Sequence, residues 1–141
     1  KLKAGIIIPN EEIQTRLIEL IEKGDNAKLH NPNYSVIANP MNSQLQNCTE
    51  HTLDLINAAI YQTTNIKQLK ANTQAHFKAQ PVAMKRFKLG LAALVMKEVS
   101  TKDHQQRIAT ATFGSLFTYL SDYQLAQHGV NFYENGHITL L

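Results

Sequence analysis

The chain has a single cysteine, Cys48, which excludes an intrachain disulfide and a Cys-rich zinc site. Long apolar runs are missing: the longest, Leu89 to Met96, is about half of the ~20 residues that span a bilayer. The six glycines form no phosphate-binding loop, dinucleotide fingerprint or Gly-x-Ser-x-Gly elbow. Acid is absent from Leu55 to Lys97, and the carboxylates elsewhere show no pairing of the glycosidase kind. No charged n-region, apolar h-region and small-residue cleavage site precede the first folded segment, and residue 1 is Lys.

The remaining composition is that of a globular domain. Over 141 residues, 43% are hydrophobic and 18% charged, which excludes wholesale disorder. A chain of this size buries roughly 70% of its unfolded surface and is expected to form a single domain, residues 1–141. The net charge is +3, unevenly spread. The acid-free stretch holds Lys67, Lys70, Lys78, Lys85, Arg86, Lys88 and Lys97, whereas Glu11, Glu12, Glu19, Glu22 and Asp25 gather near the start. Lys85, Arg86 and Lys88 interleave with Met84, Phe87 and Leu89, a pattern that suits an anionic membrane surface, the alternative being a core helix with its basic residues in water. No RNA- or DNA-binding motif is present, so nucleic acid is not an expected partner.

Local signals predict an α+β fold rich in helix. Ala4 to Ile8, ended by Pro9, reads as a buried strand at a sheet edge. Asn10 caps a helix carrying Ile13, Leu17, Leu20 and Ile21 that stops at Gly24. Asp25 to Gln46 reads as a long loop, with Tyr34 to Ala38 extended inside it. Helices are predicted from Cys48 or Thr49 to Gln62, from Asn65 to Phe77, from Val82 to Glu98 and from Phe113 to Leu125. The Cys48 helix bears two apolar stripes and is expected to be buried on most sides. Arg107 to Thr112 has strand character, and Val130 to Leu141 reads as a hairpin on a type I′ turn at Asn135-Gly136.

Cys48 is the candidate nucleophile. At a helix N-terminus the macrodipole and unpaired N–H groups favour an anion, and the amides near Cys48 and Thr49 are placed to donate to an oxyanion. The alternative is a small buried residue beside an N-cap. A thiol nucleophile needs a base. His51, three residues on, projects outward from the same helix; His137 on the terminal hairpin and His30 in the preceding loop are the other candidates. No histidine has the i,i+4 carboxylate spacing of a zinc helix, so neither metal nor cofactor is expected.

The segment Tyr34 to Tyr61, and Gln46-Asn47-Cys48 most sharply, resembles the bacterial family called domain of unknown function 2145. The opening Gly5-Ile-Ile-Ile-Pro9 and the closing Thr110 to Leu140 region are similar to it as well. The resemblance implies a permuted papain-like hydrolase of the NlpC type, with this chain as a partial domain. In that order the catalytic His lies on a strand upstream of the Cys, and no such segment precedes Cys48. The implied role therefore falls on Cys48 alone, with the His expected N-terminal to Lys1 or on a partner that pairs near Ala4 to Ile8. The resemblance also implies a secreted, periplasmic or envelope-associated protein. Two functions follow as expectations. One is a cysteine hydrolase or acyltransferase acting on a peptide, amide or lipid acyl bond; the other is a non-catalytic papain-like domain that binds within a larger assembly.

Overall fold

The computed structural model describes residues 3–83, 98–105 and 107–141. Strand β1 (Lys3–Pro9) leads through the Asn10 cap into α1 (Glu11–Glu22). A 3-10 turn (Asp25–Leu29) follows, entered through Gly24 at φ +71°, a backbone that glycine adopts without strain. After an irregular segment come α2 (Cys48–Tyr61), α3 (Ile66–His76), the two-residue strands β2 (Gln80–Pro81) and β3 (Ala109–Thr110), and α4 (Phe113–Asp122). The chain ends in β4 (Ala126–Tyr133) and β5 (Ile138–Leu140). This is the expected α+β class. The predicted helix from Val82 to Glu98 lies, for residues 84–97, outside the described residues, and Lys85, Arg86 and Lys88 lie there with it.

The main sheet is antiparallel in the order β1-β4-β5, so the first strand of the chain pairs with the penultimate one. The register sets Gly5 opposite Asn131 and Ile7 opposite Gly129 on the inner face. Ile6 faces Val130, and Val130 faces Leu140, on the outer one. The expectation of a buried strand is therefore half wrong. With side chains alternating along an edge strand, Ile7 turns inward while Ile6 and Ile8 are exposed, as are Phe132, Ile138 and Leu140. The edge of β1 away from β4 carries no strand among the described residues.

The hairpin forms as predicted, with a different turn. Gly136 N donates to Tyr133 O at 2.9 Å, and Gly136 has φ +78° while Asn135 is not left-handed. That is a type I turn closed by a left-handed glycine, the usual solution for a three-residue loop. Arg107 to Thr112 contributes only Ala109–Thr110 to a strand, and Tyr34 alone of its segment bridges, in parallel, to Gln46.

The core lies between α2 and α4: Leu53, Ile56, Phe77, Ala111, Leu116, Tyr119 and Leu120. A second cluster, Leu29, Ala58 and Leu69, fills the opposite side of α2, so both apolar stripes of that helix are used. Polar groups are threaded through this core. Tyr119 Oη donates to Asn57 Oδ1 at 2.9 Å, and Asn57 Nδ2 donates to Thr73 Oγ1 at 2.9 Å. Burial pushes the Tyr119 phenol well above its ordinary range, with Tyr61 adding to the shift.

Candidate functional site

The Cys48 turn is held by its two predecessors. Asn47 is the N-cap of α2: its Oδ1 accepts from Glu50 N at 2.8 Å, and its Nδ2 donates to Val36 O and to Thr110 Oγ1 at 2.9 Å. Gln46 is buried and uses both ends of its amide. Its Oε1 accepts from Asn31 N at 2.9 Å, while Nε2 donates to Leu29 O and to Asp54 Oδ2 at 3.0 Å. These bonds give a segment with little regular structure the partners it lacks locally: its backbone groups meet buried side chains. Residues 98–104 close it from outside, through Ser35 with Ser100 and Asn39 N on Asp103 Oδ2 at 2.7 Å.

Cys48 itself is exposed, which sets aside the buried-filler alternative. It stands on the rim of an apolar groove of ≈ 540 Å³ between α1, α2, α4 and the inner face of β1, with Gly5, Ile7, Leu17, Ile56 and Phe113 among its walls. The first-turn amides of Glu50 and His51 are taken by Asn47 Oδ1 and Asn47 O. Those of Cys48 and Thr49 precede them, at the positions that have no partner within a helix.

No imidazole is hydrogen-bonded to Cys48 among the described residues. His51 turns away, its Nε2 3.4 Å from Asn26 O and its ring edge-on to His30 at 6.0 Å. His137 is exposed on the hairpin beside the Tyr133 ring. The three candidate bases therefore do not gather at the thiol. His104, which sequence reasoning passed over, is buried and donates from Nε2 to Ile37 O at 2.8 Å, a role in holding the loop. No group of three His, Cys, Asp or Glu among the described residues is arranged to hold a metal ion.

Behind the Cys48 turn lies a buried ionic cluster that the linear sequence hides. Lys70 of α3 donates to Glu50 Oε1 at 2.7 Å and to Asp54 Oδ1 at 2.9 Å. The stretch without acid is thus not without acid in space: Lys70 lies between two carboxylates, and Lys78 lies 3.6 Å from Asp122. Burial pushes the Glu50 carboxyl from 4.5 up to about 7, against the pull of Lys70. Glu50 and Asp54 on α2 left a readable trace, since two acids interrupt its apolar pattern on the side turned toward α3.

A capped, exposed thiol at the head of a buried helix, in an α+β domain, is what the fold and site define. The chain belongs to the family of uncharacterized proteins conserved in bacteria named DUF2145, which it matches over residues 1–120. No curated protein and no solved structure matches it.

Proposed function

We propose that the protein is a papain-like cysteine hydrolase or acyltransferase of the bacterial envelope in which Cys48 is the nucleophile. The observation that carries this reading is the exposed thiol at the start of α2, on a turn immobilised by Gln46 and Asn47 and open to the apolar groove. Catalytic groups work when their supporting residues are themselves locked. In the reaction an imidazole takes the thiol proton and Sγ bonds to the acyl carbon. The Cys48 and Thr49 amides hold the oxyanion, and the leaving group departs with the proton from the imidazolium. Water or an acceptor hydroxyl or amine then cleaves the thioester and regenerates the thiol.

The base is a histidine on a strand outside residues 1–141, from sequence N-terminal to Lys1 or from a partner chain. Support comes from the edge of β1 that carries no strand among the described residues. Gly5, Ile7 and Pro9 line the same groove as Cys48, so a strand added at that edge would run past the thiol and cover apolar surface. The absence of an imidazole bonded to Cys48 among the described residues favours the second reading, a papain-like domain that only binds.

The test uses the full-length natural protein and a cysteine-directed acyl probe with an activated thioester substrate. Labelling and turnover that vanish in Cys48→Ser support the enzyme. Turnover unchanged in Cys48→Ser overturns the nucleophile, and an inert Cys48 in the full-length protein leaves the binding domain.

A further inference from the structure

Among the described residues the buried charges around α2 do not balance. Glu50, Asp54 and Asp103 are sealed from solvent, and among the described residues Lys70 is the cation bonded to the first two. Glu50 uses Oε1 for Lys70 Nζ, while Oε2 has neither solvent contact nor a hydrogen-bond partner among the described residues. An uncompensated buried carboxylate oxygen is expensive to maintain.

Of the other charged and titratable groups nearby, Asp103 also keeps one buried oxygen, Oδ1, without a hydrogen-bond partner among the described residues, and the rest are engaged elsewhere. Asp54 shares Lys70 and accepts from Gln46. Asp103 accepts from Asn39, with the His104 Nε2 3.5 Å from its other oxygen. Lys28 and His30 line the adjoining cavity of ≈ 240 Å³, where Lys28 pairs with Asp25 and His30 packs on His51. A metal ion is not accommodated by the described residues, and a soluble cation does not reach an oxygen with no exposed surface. A proton does.

We propose that Glu50 carries a proton on Oε2 in the folded protein, and that this proton is a latch: bound, it keeps the carboxyl neutral while the first turn of α2 stays on α3; released, it leaves a bare buried carboxylate that loosens that turn. Burial sets the release near neutrality, with the carboxyl pushed up to about 7; Lys70 opposes the rise, and Asp54 and Asp103 add to it. Between 4.5 and about 7 the folded chain keeps a proton that the unfolded chain has lost. The contribution of Glu50 to stability therefore falls as pH rises through that window and is level above it. The proposal does not depend on any chemistry at Cys48.

Glu50→Gln mimics the protonated side chain. The ratio of unfolding constants, wild type over variant, is expected to rise by up to about tenfold per pH unit across the window and to level off above it. A ratio independent of pH overturns the proposal. Should the variant not fold, the carboxyl carbon of Glu50 is titrated by NMR in the wild-type chain; a midpoint at or below about 5.5 overturns it and a higher one supports it. The latch is read from amide exchange at Glu50, His51 and Thr52, corrected for intrinsic rates. Protection lost as Glu50 titrates, with α4 unaffected, is the expected result; protection unchanged through the titration overturns the latch.

Discussion

The ring of Phe113 lies against Gly5, so closely that a Cβ at residue 5 would meet Cζ at 2.3 Å. Phe117 covers Gly129 in the same way, with Cε2 at 2.3 Å from the corresponding position. These two contacts seat α4 on the strand pair β1–β4, and Gly5 and Phe113 also form a wall of the Cys48 groove. Each ring supplies the apolar cover that a glycine in a strand lacks.

Adding a methyl group at either glycine displaces a ring. Gly5→Ala and Gly129→Ala are each expected to cost about 1–3 kcal/mol. Gly114, in the first turn of α4, has its nearest neighbour at 4.0 Å, so Gly114→Ala is expected to stabilise by about 0.5–1 kcal/mol. Urea midpoints at unchanged slope decide; a neutral Gly5→Ala would mean that Phe113 is not seated there.

Asn47→Ala removes an N-cap together with the bonds to Val36 O and Thr110 Oγ1. The combined loss is expected to be about 2–4 kcal/mol, larger than for an ordinary cap because Val36 O and the buried Thr110 Oγ1 each lose a donor, although Thr110 Oγ1 keeps its own bond to Ala38 O. Asn65→Ala, at the exposed cap of α3, is the comparison and is expected to cost about 1 kcal/mol. Equal effects at the two caps would contradict the anchoring role of Asn47.

Lys70→Met leaves Glu50 and Asp54 facing each other without a cation. The expected cost is about 3–5 kcal/mol near neutral pH. The sign with pH follows from Glu50: Lys70 holds its carboxyl down, so without Lys70 it keeps its proton to higher pH, and the deficit relative to wild type grows as pH rises above about 7. Thermal melts at pH 5 and pH 8 test this, and a deficit that grows in acid would refute it.

Tyr119→Phe removes the donor to Asn57 Oδ1 deep in the core and keeps the ring packed on Phe77 at 5.6 Å. About 1–3 kcal/mol is expected for the acceptor left bare. Tyr123→Phe, whose exposed hydroxyl meets His76 Nδ1 at 3.0 Å, is expected to change stability by less than about 0.5 kcal/mol.

Much of the local structure could be read from the residues. Asn10 accepts from Ile13 N three residues on, and Asn65 does the same for Gln68 N, because a cap is satisfied within one turn and needs nothing distant. The apolar spacings of α1, α2 and α3 placed those helices to within a residue or two, and Cys48 at the head of α2 came with them. Asn135-Gly136 marked the hairpin, yet its turn type depends on where β4 and β5 come into register, which the dipeptide does not specify.

Other features arise only when distant segments meet. β1 pairs with β4 across nearly the whole chain, and that partnership turns Ile6 outward and brings Gly5 under Phe113. Lys70 reads as one charge in a basic stretch until α3 packs on α2 and sets it against Glu50 and Asp54. Periodicity tells which side of a helix is apolar; it does not tell which other side it meets. Cap and turn signals act over three or four bonds of backbone and are written locally, whereas burial, charge compensation and the walls of a groove are properties of surfaces brought together by folding.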